Sequence, residues 1–224
     1  MASPKPHRRI VFCDFDGTIT AEETFVGMLK QFATLDYNDY GRRLAEGRIS
    51  LRDAVRQLIE SIPADRYNAV IDYIRPKPIR PGFPELLDFL HRHGIPLVVI
   101  SGGLQQSVET RLQKYLHRIH AVHAALLQVG KTHLTVVSPY ESSDELVSKT
   151  RVMHQYHFDE SIAIGDGITD RNMAITADRV FARDSLRNYL AGRNASFIEW
   201  SDFFDVLRAL SVGNGGASQG GNAR

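Results

Sequence analysis

Cysteine is almost absent: Cys13 is the single thiol in 224 residues, so neither an intramolecular disulfide nor a multi-cysteine zinc site can form. No charge of one sign dominates either. Lys and Arg number 27 against 26 Asp and Glu, a formal +1. That balance argues against a nucleic-acid partner, because such binders need surplus cations to displace phosphate counterions. No apolar run approaches the ~20 residues that span a bilayer, so no membrane partner is expected. The opening MASPKPHRR is basic but lacks a following apolar stretch with a cleavage site, so it does not read as a secretory signal and a cytoplasmic location is expected. Repeats are missing too, and the one low-complexity stretch is the Gly-, Asn- and Ser-rich C-terminus. What remains, 43% hydrophobic and 24% charged, is an ordinary globular balance with room for about one to two domains.

Three short apolar runs share one shape: Ile10-Val11-Phe12-Cys13, Leu97-Val98-Val99-Ile100 and Ile162-Ala163-Ile164. Each is apolar at successive positions and stops abruptly, at Asp14, Ser101 and Gly165-Asp166 respectively. Continuity without alternation suits strands covered on both faces, as in a parallel sheet wrapped by helices. Helical spacing follows Gly82 and Pro84 and ends near Gly94, and Val108, Leu112 and Leu116 recur at four-residue steps over 104–116. Val180-Phe181-Ala182 and Phe197-Ile198 read as further strands, with Ser185 and Ser201 as N-caps of the helices after them. The alternation predicts a doubly wound α/β fold with a parallel sheet.

Two stretches break that rhythm. From about 22 to 74 the period is helical, with stripes at Phe25, Met28, Leu29 and Phe32 and at Val55, Leu58, Ile59 and Ile62. This predicts about four helices inserted after the first strand as a small cap. Around Gly130-Lys131, the β-prone stretch 121–137 predicts a hairpin. The expected organisation is therefore a core of 9–20 and 76–210, a helical cap of 21–75, and solvated tails at 1–8 and 211–224.

The chemistry collects at strand ends. Asp14-Phe15-Asp16-Gly17-Thr18 places two acids at a sheet's carboxyl edge, where their repulsion is costly unless a cation or proton lies between them. Alone it fits a solvated turn equally well. Ser101-Gly102-Gly103 adds a hydroxyl and a Gly-rich turn able to approach an anion, and Gly165-Asp166-Gly167-Ile168-Thr169-Asp170 adds two more carboxylates. In a parallel sheet all three ends open onto one crevice. Carboxylates, a hydroxyl and backbone donors together suit Mg²⁺ plus phosphate. Lys149 is the candidate counter-cation for the phosphate, its alternative being a solvated helix position.

In this order, from 11 to about 177, these motifs resemble the haloacid dehalogenase superfamily of phosphotransferases. The helical insertion resembles the cap of its phosphoserine-phosphatase-like branch. The resemblance implies a Mg²⁺-dependent phosphomonoesterase working through an aspartyl-phosphate on Asp14, with Asp16 as general acid and then base. It implies that Thr18, Ser101, Gly102 and Lys149 hold the phosphoryl group. Asp14, the Asp16 carbonyl and Asp166 would bind the metal, with Asp170 orienting its shell. Retention of a second Asp favours phosphate hydrolysis over dehalogenation.

The substrate is expected to be a small phosphorylated metabolite. The wording at 14–20, 79–83 and 180–184 is similar to that of methionine-salvage phosphatases acting on 2-hydroxy-3-keto-5-methylthiopentenyl-1-phosphate, an enol phosphate. Glu23 and Arg56 instead lie about where phosphoserine phosphatases read an ammonium and a carboxylate; alternatively, Glu23 is a first-turn helix acid and Arg56 a solvated side chain. Phe25, Met28 and Phe32 fit either a thioether pocket or plain core. His117, His120 and His123 have no acid or thiol partner in sequence and are expected at the surface. A rival of another class is a non-catalytic α/β protein that binds a phosphorylated ligand, which would need neither Asp14 nor Asp16 as reactive groups. Monomer and homodimer fit the sequence equally.

Overall fold

Side chains alternate along a strand, so an apolar run buried on both faces feeds two separate cores. Ile10 and Phe12 join Val98, Ile100 and Ala163 on one face, while Val11 and Cys13 join Leu97, Val99, Ile162 and Ile164 on the other. These runs lie in β1 (His7–Cys13), β2 (Leu97–Leu104) and, later in the chain, β5 (Phe158–Gly165) of the computed structural model, which describes residues 6–22, 24–74 and 78–212.

Between β1 and β2 run α1 (Thr24–Phe32), α2 (Tyr37–Ala45), α3 (Leu51–Glu60), α4 (Tyr67–Ile74) and α5 (Phe83–Arg92). After β2 come α6 (Gln105–Leu112), β3 (Ala121–Val129), β4 (Leu134–Val137) and α7 (Lys149–Met153). β5 is followed by α8 (Arg171–Thr176), β6 (Arg179–Ala182), α9 (Asp184–Ala191), β7 (Ile198–Glu199) and α10 (Phe203–Val212). Among the described residues the sheet has seven strands in the order β4-β3-β2-β1-β5-β6-β7, parallel except for the antiparallel β3–β4 hairpin. β1 is central, paired with β2 on one side and β5 on the other, so the three motif-bearing ends are neighbours.

α5 and α10 cover one face through Leu86, Leu90, Phe203 and Leu210. The opposite face shares a single cluster with α1, α3 and α4 through Met28, Leu29, Leu58, Ile62 and Val70. The helical insertion is therefore packed continuously onto the sheet side of the cleft. At its base, Thr20 and Ile79 form an antiparallel bridge and Ala21 N–H donates to the Pro78 carbonyl (3.0 Å).

Several local expectations shift. β1 starts at His7, whose N–H donates to the His157 carbonyl (2.8 Å), and α10 runs to Val212, so both strand and helix extend into the expected tails. Residues 1–5 and 213–224 lie outside the described residues. The expected helix over 104–116 stops at Leu112 and gives way to a 3-10 turn at Leu116–Arg118. Asp202 caps α10 in place of Ser201, accepting from Phe204 N–H (2.9 Å). Ser185 sits inside α9, where the Asp166 carbonyl accepts from Leu186 N–H (2.9 Å) and leaves less need for a side-chain cap. His123 is not at the surface: it is half-buried, its Nδ1 bonded to Tyr140 OH (2.7 Å) and its Nε2 to Tyr156 OH (2.6 Å).

Candidate active site

Asp14 leaves β1 with its N–H on the Ile164 carbonyl (2.9 Å), which fixes its backbone to β5. Asp14 is 4% exposed, and its side chain meets the Lys149 ammonium at the start of α7. The same Nζ donates to Asp170 Oδ1 (2.5 Å). Burial alone would favour the uncharged amine, but Asp14 and Asp170 hold Lys149 above the usual lysine range. Burial, and then the Asp170 charge, push the Asp14 carboxyl up against the opposing pull of Lys149.

Asp166 and Asp170 hang from the loop after β5. Asp170 Oδ2 accepts from the N–H groups of Asp166 and Gly167 (2.9 Å each), so both its oxygens are committed and it acts as the clasp of the loop. Gly165 has to be glycine here, since a Cβ would lie 2.6 Å from Asp170 Oδ2. Asp166 Oδ1 accepts from Thr18 Oγ1 (2.6 Å). Thr18, expected to hold the phosphoryl group, has its hydroxyl on Asp166 here, where it orients that acid. Gly17, between them, has φ +83°, and a Cβ there would sit 2.5 Å from Asp166 Oδ2.

Oxygen atoms of Asp14, Asp166 and Asp170 fall within 4.8 Å of one another, all three side chains being buried. Three buried carboxylates around one ammonium carry excess negative charge, and hard oxygen donors so placed fit a divalent cation. Asp170 spends both oxygens on Lys149 and on its own loop, so Asp14 and Asp166 are the side chains placed to hold it.

Asp16 lines the cleft from the side of the helical insertion. Its Oδ1 accepts from Thr24 N–H (2.7 Å) and its Oδ2 from Phe25 N–H (2.5 Å), so it caps α1 from eight residues away. Burial raises its carboxyl, and those two amides oppose the rise. Ser101 is 1% exposed, and its Oγ accepts from Gly103 N–H (3.1 Å). The Ser-Gly-Gly stretch is not a turn opening a helix, as expected, but an irregular end of β2, where pairing with β3 shifts register between Ile100 and Leu104. Gly102 borders the cleft, where an added Cβ would meet only Thr169 Cγ2, at 4.0 Å.

The cleft measures about 340 Å³. Asp14, Asp16, Ser101, Gly102 and Asp166 form one end. Phe25, Leu29, Tyr40, Leu51, Ala54 and Leu58 of the inserted helices add an apolar lining, with Phe25 beside Asp16 and Gly103. Met28 and Phe32, expected beside Phe25, are absent from that lining: Met28 is core and Phe32 packs edge-on against Tyr73.

Arg56 is not brought to this site. Its Nη1 donates to the Val136 carbonyl (2.8 Å) and pairs with Glu60 (3.4 Å), and its Nη2 pairs with Glu141. It ties α3 to the hairpin. Glu23 lies outside the described residues.

Sequence reasoning missed Arg80 as a positioning residue. This buried guanidinium donates from Nε to the Thr18 carbonyl (2.8 Å) and from Nη2 to the carbonyls of Gly17 (2.5 Å) and Thr20 (3.3 Å), while lying over the Trp200 ring. It braces the loop bearing Asp16. The only sequence signal was its place in Ile79-Arg80-Pro81-Gly82-Phe83, which carries no spacing rule.

Among the described residues no helix is long and apolar enough to cross a membrane. In sequence the chain is 46% identical over 204 residues to a 2-hydroxy-3-keto-5-methylthiopentenyl-1-phosphate phosphatase of Microcystis aeruginosa, spanning 90% of this chain and 97% of that one. It is 30% identical over 212 residues to a phosphatase of the same description from Bacillus thuringiensis, spanning 89% and 94%. In fold it is similar to a solved phosphoserine phosphatase described as a phospho-aspartyl intermediate analogue, with TM-score 0.66 and 22% identity over 92% of this chain and 99% of that one. The model of the haloacid dehalogenase-like hydrolases matches residues 11–174, the span that carries all three acid- and serine-bearing strand ends, and the chain belongs to that family.

Proposed function

We propose that the chain is a Mg²⁺-dependent phosphatase whose substrate is 2-hydroxy-3-keto-5-methylthiopentenyl-1-phosphate or a close enol phosphate. The observation that carries this reading is the cleft's chemistry. Beyond the strand-end acids its lining is mostly apolar, and no Lys or Arg is among its described lining residues. A phosphoserine carboxylate would enter beside Asp14, Asp16 and Asp166, where Lys149 is already held between Asp14 and Asp170, so its desolvation would be poorly repaid. The enol phosphate keeps its oxygens on the carbons nearest the phosphate and ends in a methylthioethyl tail, matching a polar end and an apolar wall. The two relatives are named for this substrate.

In this reading residues 21–75 act as a cap that shields the reaction from bulk water. Asp14 attacks phosphorus and carries the phosphoryl group as an aspartyl-phosphate. The leaving oxygen takes a proton from Asp16, and it leaves readily because it is conjugated through C2 to the C3 ketone. Asp16, now a carboxylate, takes a proton from the water that attacks the aspartyl-phosphate, releasing phosphate and restoring Asp14. Lys149, the Ser101 hydroxyl and the Gly102 amide hold the phosphoryl oxygens, while Thr18 and Arg80 act on Asp166 and on the Asp16 loop. Mg²⁺, held by Asp14, Asp166 and the Asp16 carbonyl with Asp170 behind them, would neutralise phosphoryl charge.

The test is phosphate release from the enol phosphate, phosphoserine and p-nitrophenyl phosphate, with Mg²⁺ and again with EDTA. The expected result is EDTA-sensitive release with the highest kcat/KM on the enol phosphate. A preference for phosphoserine would overturn the substrate, and no release from any of the three by folded protein would favour a non-catalytic phospholigand binder.

A further inference from the structure

Glu145 is an acid in the cleft wall that the proposed reaction does not use. It stands on the segment between β4 and α7, next to the buried Leu146 and Val147. A carboxylate facing a site built for a phosphate dianion is repelled by its ligand, which is tolerable where the ligand brings a hydrogen-bond donor to it.

The position of Glu145 is held from three sides. Its own turn is closed by Ser142 N–H on the Glu145 carbonyl (2.9 Å) and Glu145 N–H on Ser142 Oγ (3.0 Å). Arg52 of α3 grips the turn, donating its N–H to the Asp144 carbonyl (2.7 Å) and Nη1 to the Ser142 carbonyl (3.1 Å). Four residues on, Lys149 is fixed between Asp14 and Asp170. Burial pushes the Glu145 carboxyl up, while the Lys149 charge and the Ser148 and Asn172 side chains pull it down. Asn172 is two residues beyond Asp170, so the carboxyl sits beside the acid cluster.

We propose that Glu145 is a specificity-determining residue that accepts a hydrogen bond from the substrate hydroxyl on the carbon next to the phosphate ester. The inference rests on the enol-phosphate reading above. In that substrate the C2 hydroxyl is the one O–H donor of the organic part, since the C3 ketone only accepts and the tail is a thioether. It also lies one carbon from the phosphate ester, and Glu145 lines the cleft within reach of the Lys149 charge and the Asn172 side chain, beside the acid cluster. A carboxylate acceptor bonds such a hydroxyl more strongly than a neutral group would, and an analogue lacking the hydroxyl forfeits that bond while still meeting the carboxylate's charge.

The experiment compares wild type, Glu145→Leu and Glu145→Gln on the enol phosphate and on the analogue with hydrogen in place of the C2 hydroxyl. Expected is a loss of kcat/KM for Glu145→Leu on the enol phosphate roughly tenfold or more beyond its loss on the analogue. Glu145→Gln, which keeps an acceptor oxygen, should recover part of that gap. Thermal unfolding checks each variant, and if the leucine variant does not fold the glutamine variant carries the same comparison with a smaller gap. Equal losses on both compounds, or no loss on either, would overturn the assignment while leaving the enol-phosphate reading standing. A wild type that prefers phosphoserine would overturn both, with Glu145 then facing an ammonium.

Discussion

Asp16 is the residue on which catalysis and cap meet. Its two oxygens take the first amides of α1, so the group proposed to move the proton is also the cap of the first inserted helix. Replacing it by Asn keeps one acceptor but turns an NH₂ toward an amide hydrogen, costing about 1–2 kcal/mol of stability. The chemical effect should be larger and uneven. With p-nitrophenyl phosphate the leaving group needs no proton, so Asp16→Asn should still form the aspartyl-phosphate and then stall for want of a base. Stopped-flow absorbance should show a burst of about one p-nitrophenolate per active site followed by a much slower steady rate. A slow phase with no burst would mean that Asp16 is needed before phosphorus is attacked.

At the scale of an element, α3 carries two stripes with separate tasks. Leu51, Ala54, Val55 and Leu58 follow the i, i+3, i+4, i+7 pattern and face the cleft. Arg52, Arg56 and Glu60, four apart, face the hairpin side: Arg52 bonds Ser142, Arg56 bonds Val136 and Glu141, and Glu60 accepts from Val136 N–H (3.4 Å). Backbone bonds extend the seam, with Leu134 N–H on the Ile62 carbonyl (2.9 Å) and Ala64 N–H on the Thr132 carbonyl (3.0 Å). The inserted helices are thus fastened to the β3–β4 hairpin as well as to the chain links at their base. Arg56→Ala should lower stability by about 1–2 kcal/mol, its partners being only partly buried. It should also change kcat/KM by the same factor on phosphoserine, the enol phosphate and p-nitrophenyl phosphate. A loss confined to phosphoserine would restore Arg56 as a carboxylate reader.

Across the whole molecule, His123 joins three segments distant in sequence: β3, the stretch beginning at Tyr140 that leads to Glu145 and Lys149, and Tyr156 just ahead of β5. A neutral imidazole offers one donor and one acceptor, so one tyrosine receives its proton and the other supplies one. Protonation turns both ring nitrogens into donors and breaks that pattern. Burial, and secondarily the His120 charge, lower the His123 pKa in the fold. A histidine lowered in the fold takes up its proton more readily when unfolded. Its contribution is therefore complete above the unfolded value of about 6.5 and is lost as pH falls through that value toward the lower folded one. His123→Gln, which keeps a donor and an acceptor, should flatten the fall in stability between pH 7 and pH 5, as measured by urea unfolding at a series of pH values. Parallel profiles for the two proteins would assign that fall to other groups.

The sequence by itself determined the parts in which structure and chemistry are contiguous. Asp14-Phe15-Asp16, Ser101-Gly102 and Gly165-Asp166 each follow directly from an apolar strand, and a parallel sheet carries such ends to one edge whatever surrounds them. The inserted helices and the hairpin were legible for a similar reason, since period and turn residues are local signals. Tertiary structure alone decided where side chains on those elements point. Arg56 and Val55 are adjacent in sequence, yet about 100° of helical rotation sends one to the hairpin and the other to the cleft. The fold sets Thr18 against Asp166, a partner 148 residues away. Arg80 and Glu145 stand in no motif: they matter because chain closure brings residues 62 and 131 positions downstream of Thr18 and Asp14 back to the same loop and cleft. Such contacts depend on the rotational phase and packing of elements distant in sequence, which no local pattern encodes.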